Sequence, residues 1–185
     1  MIFASDDAGL FSAGFHPWYL NEFSNENFSK LYKWANDKRF LTIGECGLDK
    51  NSSYSLEMQI DIFKKQIELS EFVQKPLIIH CVGCFNELFE IKKTLQPQQL
   101  WIIHGFRGKS ELAKQAILSG CSLSFGEHYN VESVSYTPIN KFFIETDESS
   151  LPILEIYKQI SNIKSVGVED LNAGNLLIES INSKI

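Results

Sequence analysis

Disulfide frameworks, membrane spans, linkers and a surplus of basic charge are all missing from this 185-residue chain. Four cysteines (Cys46, Cys81, Cys84 and Cys121) are too few at this length to form a disulfide scaffold, so reduced thiols and a cytoplasmic setting are expected. No apolar run approaches the ~20 residues of a membrane span. The opening Met1-Ile2-Phe3-Ala4-Ser5-Asp6-Asp7 lacks the basic start and apolar stretch of a signal peptide. There is no Pro/Gly/Ser-rich linker, low-complexity tract or internal repeat, which makes residues 1–185 read as a single domain. Lysine and arginine number 17 against 23 acidic residues, for a net charge of −6. That balance argues against a protein that holds DNA mainly by neutralising phosphates. It leaves room for a nuclease, because bound divalent ions reverse the field of an acidic pocket. A G-x-x-x-x-G-K phosphate loop is also absent, which removes support for nucleoside triphosphate chemistry.

The residues that are present describe an ordinary globular chain, 44% apolar and 22% charged. Short apolar runs at Leu10–Phe15, Phe40–Gly44, Pro76–Ile79, Leu100–Ile103, Cys121–Phe125 and Lys141–Ile144 read as strands. Most are continuous rather than alternating, as parallel strands buried on both faces require. Helical spacing separates them. Leu56, Ile60, Phe63 and Ile67 form one stripe, Phe85, Leu88, Phe89 and Leu95 a weaker one, and Phe28, Leu31, Tyr32 and Ala35 a third. Ser110 is placed to cap Glu111–Leu118, with Gly120 as its stop, and Glu169–Ile185 reads as a closing helix. Strand-helix-strand repetition of this kind predicts right-handed βαβ units and an α/β fold with a parallel sheet.

Reactive residues fall at one kind of place. His16, Glu45, His80, His104 and Asp147 each stand at the end of a predicted strand. In a (β/α) barrel those ends converge on one mouth, which carries the chemistry. Imidazoles with carboxylates suit a divalent ion such as Mg²⁺, Mn²⁺ or Zn²⁺. Taken singly, a histidine there is a hydrogen-bonded structural residue and an acid is a helix cap. Five in succession shift the balance toward a metal site.

The motifs around these residues resemble those of the TatD deoxyribonucleases. Gly14-Phe15-His16-Pro17 is similar to their G-x-H-P, and Ile43-Gly44-Glu45-Cys46-Gly47-Leu48-Asp49 to I-G-E-x-G-L-D. Pro76–Cys81 resembles the strand bearing a ligand histidine, Ile103–Gly108 the H-x-F-x-G segment, and Ile144–Asp147 the E-T-D segment. The resemblance covers about residues 10 to 150 in the right order. It implies an incomplete TIM-like barrel and a metal-dependent hydrolase of phosphodiester bonds, with DNA or another phosphoester as substrate and one or two divalent ions as cofactor. Carried over by position, Glu45, His80, His104 and Asp147 are the metal ligands, and Glu45 and Asp147 the catalytic carboxylates. His16 lines the substrate pocket. Arg107 stands where a planar cation can grip a phosphate oxygen, or else is a surface residue.

The family's first strand carries His-x-His, and this sequence has none. A late start within a longer gene product and loss of the first half-site are the two readings. For the sequence as given, a one-metal or weakened two-metal site with reduced activity is expected, since a single ion cannot clamp both attacking and leaving oxygens. An open barrel also exposes strand edges, so a homodimer through the gap or a covering segment is expected. Two rivals stay in view: a small-molecule phosphoesterase on the same fold, and a catalytically silent barrel kept for binding or regulation. Cys81-Val82-Gly83-Cys84 lacks the second pair of a zinc site and the context of a redox motif, so it reads as packing. Glu127 reads as a partner for a ligand histidine, His128 as solvent-exposed, and Asp49 as orienting a loop or a ligand. Trp18-Tyr19, next to Pro17, leaves base stacking open, while core packing is the plainer reading for tryptophan.

Overall fold

The computed structural model describes residues 9–171 and residue 176, which fall into two compact units meeting at Trp101 and Ile102. The closing helix expected over residues 169–185 lies almost wholly outside the described residues. The first unit contains β1 (Phe11–Ala13), α1 (Asn25–Ala35), β2 (Phe40–Asp49), α2 (Leu56–Val73), β3 (Leu77–Val82) and α3 (Phe85–Leu95). Its strands are parallel and adjacent in chain order. The boundary strand β4 (Trp101–Ile103) begins with Trp101, and the Leu77 N–H bonds the Leu100 carbonyl just before it. The second unit continues from Ile102 through α4 (Ser110–Leu118), β5 (Cys121–Phe125), α5 (Val131–Tyr136), β6 (Phe142–Ile144) and α6 (Ile153–Lys164). Here β5 and β6 pair in parallel, with Leu123 opposite Phe142 and Phe125 opposite Ile144. The expected parallel α/β architecture is present.

β2 is longer than its apolar run suggests. It continues for five residues past Gly44, because Cys46, Gly47, Leu48 and Asp49 are all buried and pair with β3. The register shifts on the way: Ile43 lies opposite Leu77 and Cys46 opposite Ile79, so β2 carries one extra residue. Such a bulge bends a strand and re-aims the side chain at the bulge. Glu45 sits in it, and the Gly44–Glu45 peptide is cis. Glu45 and His80 therefore stand inside their strands, whereas His104 directly follows β4 and Asp147 lies three residues beyond β6.

The buried face of α2 is phased differently from the expected stripe. Leu56 and Ile60 are half-buried, and the face against the sheet is Gln59, Ile62, Phe63, Gln66, Ile67, Leu69 and Ser70. Two glutamines seven residues apart, two helical turns, are thus in the core. Gln66 accepts from the Phe15 N–H at 2.7 Å and donates to the Phe15 carbonyl at 3.2 Å. Gln59 does the same for Asp49, at 2.8 and 3.1 Å. An apolar reading of the helix cannot see this, because each amide satisfies backbone groups at a strand end that no ladder reaches. Near by, Phe15 packs on Phe23 and Phe28, with ring centroids 5.2 and 6.4 Å away. Ser24 caps α1 by accepting from the Asn27 N–H.

In the second unit Phe125 stacks on Phe142 at 4.6 Å and meets Phe106 edge-on at 5.8 Å. α6 presents Ile156 and Ile160, both fully buried. That helix follows Pro152, and its four-residue apolar spacing is a legible signal that the sequence reading passed over. Ser110 is the first residue of α4 rather than its cap; Lys109 occupies the cap position, and the Ser110 hydroxyl bonds Glu132. No described helix is long and apolar enough to cross a membrane.

Replacing Gln66 with leucine strands both backbone groups of Phe15 in the core. Urea unfolding of Gln66→Leu is expected to show a loss of about 1–3 kcal/mol with an unchanged slope. An unaltered midpoint would show that Gln66 ties nothing down.

Candidate metal centre

Three of the residues singled out from sequence meet in the first unit. His16, Glu45 and His80 each offer a ligand atom, and the three atoms lie within 4.8 Å of one another. The His16 Nε2 is 3.7 Å from a Glu45 carboxylate oxygen, and the His16 and His80 rings are 4.4 Å apart. Both imidazoles are largely covered, while the Glu45 side chain is 41% exposed.

Hydrogen bonds assign these two histidines different roles. The Trp18 backbone N–H donates to His16 Nδ1 at 3.1 Å, which occupies that lone pair. The neutral His16 ring then carries its proton on Nε2, the atom facing Glu45. An N–H cannot ligate a metal, so His16 is a donor, suited to an anionic oxygen. His80 is held the other way. Its Nε2 lies 2.8 Å from Asp49 Oδ2, and a carboxylate only accepts, so Nε2 bears the proton and Nδ1 keeps the lone pair a metal takes.

Asp49 is 1% exposed at its side chain, yet charged. Its Oδ2 also accepts from the Trp18 indole N–H at 2.8 Å, and its Oδ1 from the Asn51 N–H at 2.7 Å. Burial alone would push its carboxyl up, but the bonds from His80, Asn51 and Trp18 outweigh burial and hold it below the usual carboxylate range. Gly47 completes the approach. Its φ is +130°, and a Cβ there would fall 2.1 Å from the His80 carbonyl oxygen, so no other residue lets β2 run this close to β3.

The second unit repeats the device. Glu145 accepts from the Gly105 N–H at 2.6 Å and lies 3.5 Å from His104 Nδ1. A proton on Nδ1 leaves the His104 lone pair on Nε2. Burial opposes the Glu145 charge, and the contacts with His104, Ser124 and Gly105 more than compensate, again lowering the carboxyl. Asp147 has φ +46°, a left-handed conformation that aspartate tolerates better than most residues. It lines a polar cavity of about 470 Å³ together with Arg107, Glu127, His128, Glu145 and Ser149. Glu127 accepts from the Ser149 hydroxyl at 2.6 Å, so it braces the Asp147 loop rather than a ligand histidine. His128 is exposed, as expected, and all four cysteines are thiols, with burial pushing those of Cys46 and Cys84 up. His80 with Glu45 in the first unit, and His104 with Asp147 in the second, each pair an imidazole nitrogen with a carboxylate, donor types that suit a divalent cation.

Sequence reasoning left Asp49 between two roles and did not single out Glu145. The signal for each was a carboxylate two or four residues from a proposed ligand inside the same motif. A depressed carboxyl binds fewer protons folded than unfolded, so its stabilisation is complete above the ordinary carboxylate value and fades as pH falls through the lowered one. Thermal midpoints of Asp49→Asn across the acid range are therefore expected to fall less steeply than those of the parent. Parallel acid limbs would contradict the charge assigned to Asp49.

Known proteins similar to this chain share a family and a fold. The family model described as TatD related DNase matches residues 3–173. A metal-dependent hydrolase of Buchnera aphidicola, itself uncharacterized, is 31% identical over 163 residues, covering 83% of this chain and 60% of that protein. A putative deoxyribonuclease TATDN1 homolog of Vairimorpha ceranae is 32% identical over 166 residues, at 85% and 58% coverage. The 3'-5' ssDNA/RNA exonuclease TatD of Erwinia amylovora is 28% identical over 147 residues, at 74% and 56%. The chain thus spans a little over half the length of these relatives. Among solved structures, the TatD homolog YJJV of Escherichia coli superposes with a TM-score of 0.80 at 17% identity, covering 96% of this chain and 76% of that one. A TatD family hydrolase of Entamoeba histolytica gives 0.74 at 19% identity, with 95% and 73% covered. These likenesses show the fold, a parallel (β/α) barrel of the TIM-like type, incomplete with six strands among the described residues. The chain belongs to the TatD-related family of metal-dependent hydrolases.

Proposed function

We propose that this protein hydrolyses phosphodiester bonds as a TatD-type deoxyribonuclease, with Glu45, His80, His104 and Asp147 as its metal ligands. The observation that carries the reading is the 2.8 Å bond from His80 to Asp49, which leaves the imidazole lone pair on Nδ1 in a residue clustered with Glu45. A histidine that merely packs has no need of a buried, charged partner. When bound, a divalent ion supplies Lewis acidity and lowers the pKa of its water.

The remaining work falls to the chain's own groups. His16 Nε2–H donates to a non-bridging phosphate oxygen, its tautomer fixed by the Trp18 N–H. Arg107, exposed at the rim of the second unit's cavity, pairs with a phosphate oxygen in the planar geometry guanidinium prefers. Asp147 accepts the proton of the attacking water at a carboxylate oxygen. Glu45 is the second catalytic carboxylate. The acidic character of the whole chain does not oppose this, because bound cations set the local field.

A single-stranded oligodeoxynucleotide supplied with Mg²⁺, Mn²⁺ or Zn²⁺ tests the proposal. Cleavage is expected with at least one ion, is stopped by chelator, and falls by about 100-fold or more in Glu45→Gln. No cleavage with any of the three ions, or cleavage indifferent to Glu45→Gln, would sink it and leave a silent barrel as the better account. Running a generic phosphomonoester in parallel distinguishes a small-molecule phosphoesterase.

A further inference from the structure

Trp18 contributes two hydrogen bonds to the cluster, yet half of its surface is exposed. Its backbone N–H fixes His16 and its indole N–H fixes Asp49. Neither bond requires the large ring to face solvent, and both could be made with the ring buried. Tyr19, next in the chain, is 46% exposed. Both rings stand at the cluster itself: Trp18 is 5.5 Å from His16 and 6.0 Å from His80, and Tyr19 is 5.8 Å from His16.

The segment is also rigid. Ser52 donates to the Pro17 carbonyl, the Tyr19 N–H to the His16 carbonyl, and the Asn21 N–H to the Tyr54 hydroxyl. The bond to Asp49 accounts for the indole N–H, but leaving the wide face of the ring half-wet costs apolar exposure that this bond does not require. It does match what a nucleobase needs, since every base has a π-face and stacking tolerates any sequence.

We infer that Trp18, with Tyr19 beside it, is a stacking platform for the nucleobase next to the phosphate that His16 contacts. The inference rests on the phosphodiesterase reading and deepens it, because it names the residue that would favour an unpaired strand over a duplex. A base in a duplex keeps both faces against its neighbours, whereas an unpaired base has a face to give. The choice also explains how an acidic chain holds a polyanion: stacking supplies affinity that surface lysines do not.

The test compares binding of two labelled single strands, one of ordinary deoxynucleotides and one with stable abasic sites, in Ca²⁺ so that turnover is suppressed. The ratio of the two affinities isolates stacking from any disturbance of Asp49. For the parent protein the ordinary strand is expected to bind about 5- to 150-fold more tightly, the range of one stacked base. Trp18→Leu is expected to bring the ratio close to one, while Trp18→Phe, which keeps an aromatic face but loses the bond to Asp49, retains a several-fold preference. A parent ratio near one, no binding of either strand, or a ratio that survives in Trp18→Leu would overturn the inference. Hydrolysis of the abasic strand with Mn²⁺, lost in Glu45→Gln, reports separately on the phosphodiesterase reading. That activity surviving with no base preference would remove the platform alone; its absence would remove both.

Discussion

Asp49 is a carboxylate held charged where water hardly reaches, and the arrangement of the first unit follows from the donors that keep it so. A buried charge without partners costs several kcal/mol, so the fold must bring partners to it. The Asn51 backbone comes from its own turn, the Trp18 indole from the loop after β1, and the His80 ring from β3. Gln59 then fixes the Asp49 backbone from α2. Three separate stretches of chain are thereby referred to one side chain. The direction of the His80 lone pair is a consequence, as is the restraint on Trp18.

The same logic appears in the second unit with the tautomer reversed. Glu145 faces His104 through Nδ1, while Asp49 faces His80 through Nε2. The two histidines are thus prepared from different ring atoms by carboxylates of different length. Such pairs hold an imidazole in one plane and one tautomer.

Much of this was legible in the sequence, for reasons that can be stated residue by residue. Continuous apolar runs gave the parallel strands, because strands covered on both faces need no polar alternation. Cys121–Phe125 has the same bounds in sequence and structure. His16, Glu45 and His80 do meet in one cluster, as neighbouring parallel strands allow, although Glu45 and His80 lie inside β2 and β3 rather than at their ends. What escaped has a common cause: polar atoms that act through partners distant in sequence. Gln59 and Gln66 look like surface residues until the unpaired backbone of Asp49 and Phe15 is seen opposite them. The extra residue in β2 is invisible without β3, since a bulge is defined only by register. Glu127 was read as serving a histidine because carboxylates near such sites often do; the Ser149 hydroxyl, brought close by the turn after β6, is its partner instead.

The decisive feature of the proposed centre is which ring nitrogen of His80 carries the proton. Nitrogen-15 NMR of the imidazole side chains, in metal-free protein and then during titration with Cd²⁺, reads this directly. The hydrogen bond to Asp49 predicts an Nε2–H tautomer before metal and a coordination shift confined to Nδ1 as the ion binds. A proton on Nδ1, or coordination through Nε2, would mean that Asp49 does not orient His80 and would leave the proposed centre without its organising bond.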